Sequence, residues 1–141
     1  IIDLGRISGL NSITEAEGGI RIGAMATHHE VESSRLLREK CPLLAEAASN
    51  IGDVQVRNMG TIGGSAAHAD PAADYPASLL ALEVKFRIRS ASGERVVDAA
   101  DFFVDTFTTA LEPGELITEI HAPVEEPGTG VNYRKMVQPA S

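Results

Sequence analysis

Gly60-Thr61-Ile62-Gly63-Gly64-Ser65, continuing as Ala66-Ala67-His68-Ala69-Asp70-Pro71-Ala72-Ala73-Asp74, is the stretch on which the reading of this chain turns. Glycines let a backbone approach an anion closely, and successive N–H groups turned inward form a nest for phosphate oxygens. Thr61 and Ser65 add hydroxyl donors without bulk. The pattern lacks the Gly-Lys-Ser/Thr ending of a nucleoside-triphosphate loop and does not match the G-x-G-x-x-G dinucleotide fingerprint. Spacing alone leaves a tight structural turn and a phosphate cradle both open. Gly52, Gly60, Gly63, Gly64, Pro71 and Pro76 punctuate residues 52–76 densely, which predicts one long functional loop with no helix opening directly after the glycines.

Regular patterns flank this stretch on both sides. Upstream, Ile13 leads through Glu17-Gly18-Gly19 into Ile20 and Ile22, which alternate with Arg21 and Gly23, predicting a hairpin over 13–26. Thr27-His28-His29-Glu30 has capping-box spacing and opens a helix from His28 to about Lys40, with Val31, Leu36 and Leu37 inward. Pro42 starts a second helix through Leu43, Leu44, Ala47, Ala48 and Ile51, and Gly52 suits a left-handed stop. Downstream, Pro76 opens a short helix through Leu82, and Val84-Lys85-Phe86-Arg87-Ile88-Arg89 alternates as a half-buried strand. Ser92-Gly93 turns it into Arg95-Val96-Val97, a helical piece covers Ala100–Phe103, and Leu116–Ile120 is a strand that Pro123 ends. The fold class is therefore α+β, with strands over 20–26, 84–90, 95–98 and 116–121.

The 141 residues suit one domain, and 43% hydrophobic content is ordinary globular composition. A formal charge of −8 argues against nucleic acid, whose phosphates select basic stripes. No apolar run approaches the ~20 residues that cross a bilayer. One cysteine, Cys41, excludes an internal disulfide and makes a reducing compartment, the cytoplasm, the default. The chain opens on Ile1-Ile2-Asp3-Leu4 and stops at Ser141 with no cap, so it reads as part of a longer polypeptide.

Few other residues carry chemistry. His68, Asp70 and Asp74 invite a metal reading, but Pro71 breaks any helix aligning them and no further ligands complete a shell. The two carboxylates suit hydrogen bonds from ribose or ribityl hydroxyls, or equally from loop amides. Ser65 beside His68 lacks the strand–elbow–helix setting of a nucleophile. His28, His29 and His121 have no triad-like company, and Cys41 reads as a packing residue. Arg57 either pairs with a phosphate or sits solvated at the surface. Phe102, Phe103 and Phe107 read as core.

The string from Gln55 to Leu82 closely resembles the second flavin motif of the FAD-binding medium subunits of molybdenum hydroxylases, the carbon monoxide dehydrogenase and xanthine dehydrogenase family. Ile2–Ile7, Ile22-Gly23-Ala24, Gly114–Ile120 and Tyr133-Arg134-Lys135 agree in order, so the similarity covers nearly the whole chain. It implies a vanillyl-alcohol-oxidase-type (PCMH-type) FAD fold. Residues 1–131 would form its larger, second subdomain, and 132–141 the start of a C-terminal domain. It further implies that Thr61, Ile62, Gly63, Gly64 and Ser65 meet the FAD pyrophosphate region. Asp74 would contact the cofactor, with Leu116, Ile117 and Lys135 near the flavin. No catalytic side chain is implied, since the flavin carries the redox chemistry.

The implied role is electron transfer: a molybdenum–pterin large subunit oxidises substrate, [2Fe-2S] clusters on a small subunit relay electrons, and FAD passes them to an external acceptor. Two departures stand out. The family's first flavin motif, an Ala-Gly-Gly loop, is not among these residues, and Pro139 occupies a position that is commonly basic. These 141 residues alone are therefore expected to bind FAD weakly or not at all. Two further readings stay open, a flavin oxidoreductase of the same fold without molybdenum and a cofactor-free domain that docks subunits.

Overall fold

The structure, a computed structural model, describes residues 1–137, so Pro139 lies outside the described residues. The chain runs through β1 (Ile13–Ala16), β2 (Gly19–Gly23), α1 (His28–Ser33), α2 (Arg35–Lys40), α3 (Pro42–Ser49), α4 (Val54–Met59) and α5 (Ile62–His68). It continues with α6 (Asp74–Ala81), β3 (Lys85–Ser90), β4 (Gly93–Asp98), α7 (Ala99–Phe102), β5 (Phe103–Asp105), β6 (Thr108–Thr109) and β7 (Leu116–Ala122). Mixed helix and sheet is the observed class, as expected.

The main sheet has the order β1-β2-β7-β3-β4, antiparallel throughout, so the last strand returns to the middle. Period-two alternation then decides the two faces. Ile20, Ile22, Phe86, Ile88 and Ile120 are buried among helix side chains, including Val31, Leu37, Leu44, Ile62, Leu79 and Phe102. Arg21, Lys85 and Arg87 alternate with them and face out, where Arg21 and Arg87 both approach Glu119. Strand β7 lies next to both β2 and β3, with Ile120 opposite Ile22 on one side and Phe86 on the other. A core row crosses three strands there.

Several expectations need correction. The single helix expected over His28–Lys40 is two, because Ser34 leaves helical geometry at ψ 116° and caps α2 by accepting from the Leu37 N–H. Serine side chains compete for backbone partners in this way, and they favour caps over helix interiors. The first α1 turn is held as the sequence predicts, with Thr27 accepting from the Glu30 amide and Glu30 accepting from the Thr27 amide. Strand β2 ends at Gly23, short of the expected residue 26, since Ala24–Ala26 turn away to meet α5.

The long loop expected over 52–76 holds α4, all of α5 and the start of α6. Asp53 and Thr61 cap α4 and α5, accepting from the Val56 and Gly64 amides. Glycine density hid these short helices, whose caps outweigh poor propensity. Pro76 sits in the first turn of α6 rather than opening it. Gly52 does adopt the left-handed conformation, φ +48°. A second, two-stranded sheet of β5 and β6 went unexpected.

Candidate functional site

Helix α5 begins inside the glycine run, and its placement follows from close approach. A Cβ built on Gly63 would lie 2.5 Å from Ala24 Cβ and 2.6 Å from the Ala24 carbonyl oxygen. Only glycine allows that contact, and the Gly63 N–H donates to the same carbonyl at 2.9 Å. The Ala24 N–H in turn donates to the Thr118 carbonyl at 3.1 Å, which ties the start of α5 to β7.

The amides of this turn do not form a free nest; of the two readings that spacing leaves open, the tight structural turn is the one observed. Gly60 N–H donates to Val56, Ile62 N–H to Ala26, Gly63 N–H to Ala24 and Ser65 N–H to Thr61, all at carbonyl oxygens. Gly64 N–H donates to Thr61 Oγ1 at 3.2 Å. Among the described residues, only the Thr61 N–H of the Gly60–Ser65 run takes no partner. The reason is general: first-turn helix amides lack intrahelical acceptors, and here the bend at 24–26 and the Thr61 cap supply them. What the turn presents outward is a hydroxyl pair and a small-residue surface. Ile62, Gly63 and Ala66 are buried, while Gly64, Ala67 and His68 are exposed.

Asp74, the first residue of α6, is 6% exposed and shared between two residues of the chain's tail. Tyr133 donates its hydroxyl to Asp74 Oδ1, and Lys135 Nζ lies 2.9 Å from Asp74 Oδ2. Lys135 also donates to the Asn50 carbonyl at 3.1 Å. Burial and the bond to Asp74 push the Tyr133 hydroxyl well above its ordinary pKa, so it stays a donor. Of the expected site residues, Asp74 and Lys135 are therefore brought into contact. Tyr133 completes the group, and its role was hidden by its place in an irregular tail. Its spacing of two from Lys135 is the signal, because an extended chain turns such residues to one side.

The remaining expected residues divide. Ile117 is 8% exposed and belongs to the core, whereas neighbouring Leu116 is 49% exposed at the start of β7. Arg57 is neither solvated nor free for an anion. Its Nε lies 3.2 Å from Glu32, and its Nη1 donates to the Ile51 and Gly52 carbonyls, so it clasps α4 to α1 and to the 51–52 turn. Asp70 accepts from the Ala72 amide, the loop-amide alternative. Cys41 is buried, with its thiol pushed up to about 12 by burial, as a packing residue should be. Phe102 is core, but Phe107 is 56% exposed and leans on the His68 ring at 5.1 Å. Among the described residues no helix is long and apolar enough to cross a membrane.

Residues 1–125 match the family described as the FAD binding domain in molybdopterin dehydrogenase. The glyceraldehyde dehydrogenase medium chain of Sulfolobus acidocaldarius is 44% identical over 140 residues, 99% of this chain and 50% of that protein. The carbon monoxide dehydrogenase medium chain of Hydrogenophaga pseudoflava is 43% identical, over 96% of this chain and 47% of its own length. A solved structure of carbon monoxide dehydrogenase from Hydrogenophaga pseudoflava, lacking the Mo-pyranopterin moiety, superposes on 97% of this chain and covers 48% of its own, with a TM-score of 0.94 and 43% identity. This chain spans about half the length of the curated relatives it matches.

Proposed function

The chain belongs to the FAD-binding domain family of molybdopterin dehydrogenases, and on that premise we propose that the Thr61 turn, Asp74 and Lys135 together hold FAD. The residues suit such a group. Gly64 and Ala67 leave the outer side of α5 without bulk, and Thr61 and Ser65 offer hydroxyl donors to phosphate oxygens. The Thr61 N–H, unpartnered among the described residues, adds a backbone donor. Ile62 and Gly63 support the turn from behind. Lys135, oriented by Asp74, supplies a positive charge, with Leu116 and Ile117 at the β7 end of the same region.

FAD, when bound, supplies reversible electron transfer, and the protein supplies position and polarity. Residues 1–131 constitute the larger subdomain of a PCMH-type fold in this reading, and 132–141 lead into a further domain. The whole protein is then the medium subunit of a complex. It passes electrons from iron–sulfur clusters on a small subunit, fed by a molybdenum–pterin large subunit, through FAD to an external acceptor. The observation that carries the reading is the match of 97% of the chain to a carbon monoxide dehydrogenase structure at 43% identity.

The test is flavin content of the full polypeptide carrying Gly64→Val. An added Cβ there meets only Thr61 Oγ1, at 2.9 Å, so the change disturbs the outward side of the turn and leaves the core alone. Flavin affinity should fall at least about tenfold with circular dichroism unchanged. Unaltered flavin content would favour a docking domain instead. Iron–sulfur absorption beside the flavin band of the intact complex separates the molybdenum reading from a flavin oxidoreductase lacking those centres.

A further inference from the structure

Beneath the Gly60–Thr61 turn lies a histidine that the cofactor reading leaves without a role. His28 opens α1 and is 5% exposed. Its backbone N–H donates to the Gly60 carbonyl at 2.9 Å, and the preceding Thr27 forms an isolated antiparallel bridge with Thr61. The imidazole itself presses on the same turn: a Cβ on Gly60 would lie 2.4 Å from His28 Nε2 and 2.8 Å from its Cδ2. On another side the ring meets Tyr75, centroids 5.2 Å apart and tilted 55°. His28 Nδ1 and the Tyr75 hydroxyl are both buried without a hydrogen-bond partner among the described residues. Two orphaned polar atoms on adjoining rings are unusual in a core, where such groups are nearly always paired.

We propose that His28 is a positioning residue for the cofactor turn, and that the turn keeps its FAD-holding shape only while this imidazole is neutral, so that mild acid releases the cofactor before the domain unfolds. The proposal rests on the FAD reading above and adds a residue and a regulation to it. Glycine at position 60 is what lets the ring sit so close, so the turn and the histidine are fitted to each other.

The surrounding charges decide the direction. Asp74 and Tyr75 face the ring from α6, Glu32 lies one turn along α1 on the same side, and Arg57 reaches in from α4. Lys135 and Tyr133 come from the tail. Asp74 is already shared by Lys135 and Tyr133, and Glu32 pairs with Arg57, so no uncommitted carboxylate awaits an imidazolium. Burial accordingly holds the His28 pKa below its ordinary value, with Asp74 opposing more weakly. The seated state therefore binds fewer protons than the released one. Its stability is full above the ordinary histidine value of 6.5 and is lost as pH falls from there through the lowered one.

The experiment follows flavin fluorescence of the full polypeptide from about pH 8 to about pH 5, with circular dichroism recorded at each point. For the natural sequence, the FAD dissociation constant should rise at least about tenfold with secondary structure intact. His28→Gln, uncharged at every pH, should flatten that profile to within about twofold, one fifth of the natural response. His29→Gln, an exposed control, should keep the natural profile. A flat natural profile, or an acid-sensitive one in His28→Gln, overturns the proposal.

Should His28→Gln fail to fold, nuclear magnetic resonance of the natural chain decides. The Gly60 and Thr61 amide signals should shift in step with the His28 ring, and stationary amides overturn the idea. The same measurement works without cofactor, so a full polypeptide that takes no FAD at neutral pH sinks the FAD reading and leaves this one still decided by the amides.

Discussion

The glycine turn and the tail from residue 123 to 137 are held by different physics. The turn is fixed by exclusion and by backbone bonds. Gly60 and Gly63 lie where a Cβ would collide at 2.4 and 2.5 Å, and five amides between Gly60 and Ser65 are engaged within the chain. The tail has little regular structure. Glu125 N–H reaches the Lys40 carbonyl, Val131 and Tyr133 pack on the core edge, and Tyr133 and Lys135 grip Asp74 and Asn50. A region built by exclusion fails when anything is added. One built by side-chain grips fails when something is removed, and it fails locally.

Gly63→Val tests the first half of that contrast and carries the largest expected effect. The added side chain has no room beside Ala24, and backbone lies within 2.6 Å, so relief requires moving the bend at 24–26 away from β7. Overpacking of this kind costs about 3 kcal/mol. Thermal unfolding should drop by about 10 °C for a chain of this size. A melting point within about 2 °C of the natural protein would show slack in the turn and break the contrast. Cofactor loss in this variant would not identify a ligand contact, because the fold itself is the first thing disturbed.

The tail comes next. Lys135→Met leaves the Asp74 carboxylate buried with one partner fewer. The cost is about 2 kcal/mol, set below that of a fully buried pair because the lysine side chain is 36% exposed. Tyr133→Phe removes one hydrogen bond to the same group and costs about 1 kcal/mol. The two effects should be non-additive, since both residues act on one carboxylate. Hydrogen exchange sharpens the comparison: protection should fall first in residues joined to the tail, such as Glu125, and not at Ile62 or Gly63. Global loss of protection would mean that the tail belongs to the same cooperative unit as the turn.

The same contrast explains what was legible in the sequence. Strands declared themselves by alternation, as in Phe86 and Ile88 against Arg87 and Arg89, and the first helix by Thr27 and Glu30. Both are local signals with a fixed period or spacing. Helix α5 was missed because Gly63 and Gly64 argue against helix by propensity, while the feature that favours helix, Thr61 with Gly64, looks like part of a loop; α4 was missed because its six residues lie between Gly52 and Gly60. Spacing left the nest and the structural turn both open for a reason no local window holds: the acceptors for Ile62 and Gly63 come from Ala26 and Ala24, almost forty residues upstream. Asp74 and Lys135 were legible through resemblance to a known family. Their mutual pairing across 61 positions was not, since charge complementarity at that distance leaves no pattern to read.

Phe107 offers the smallest effect and the sharpest control. Like Gly63 it sits at a tight turn, but it adopts φ +52°, in the left-handed region, with a full side chain. Its N–H donates to the carbonyl of Ala69, itself at φ +49°, so two strained residues hold each other where α5 ends. Each left-handed non-glycine residue costs about 1 kcal/mol, and asparagine bears that conformation more easily. Phe107→Asn relieves part of this strain and loses the contact with the His68 ring, an exposed aromatic pair worth about 0.5 kcal/mol. The terms oppose, and the melting point should move by less than about 2 °C. A fall several times larger would mean that the hairpin tip is anchored as firmly as the glycine turn. Tight backbone geometry would then by itself be enough to make a position intolerant, with or without a crowded neighbour at its Cβ.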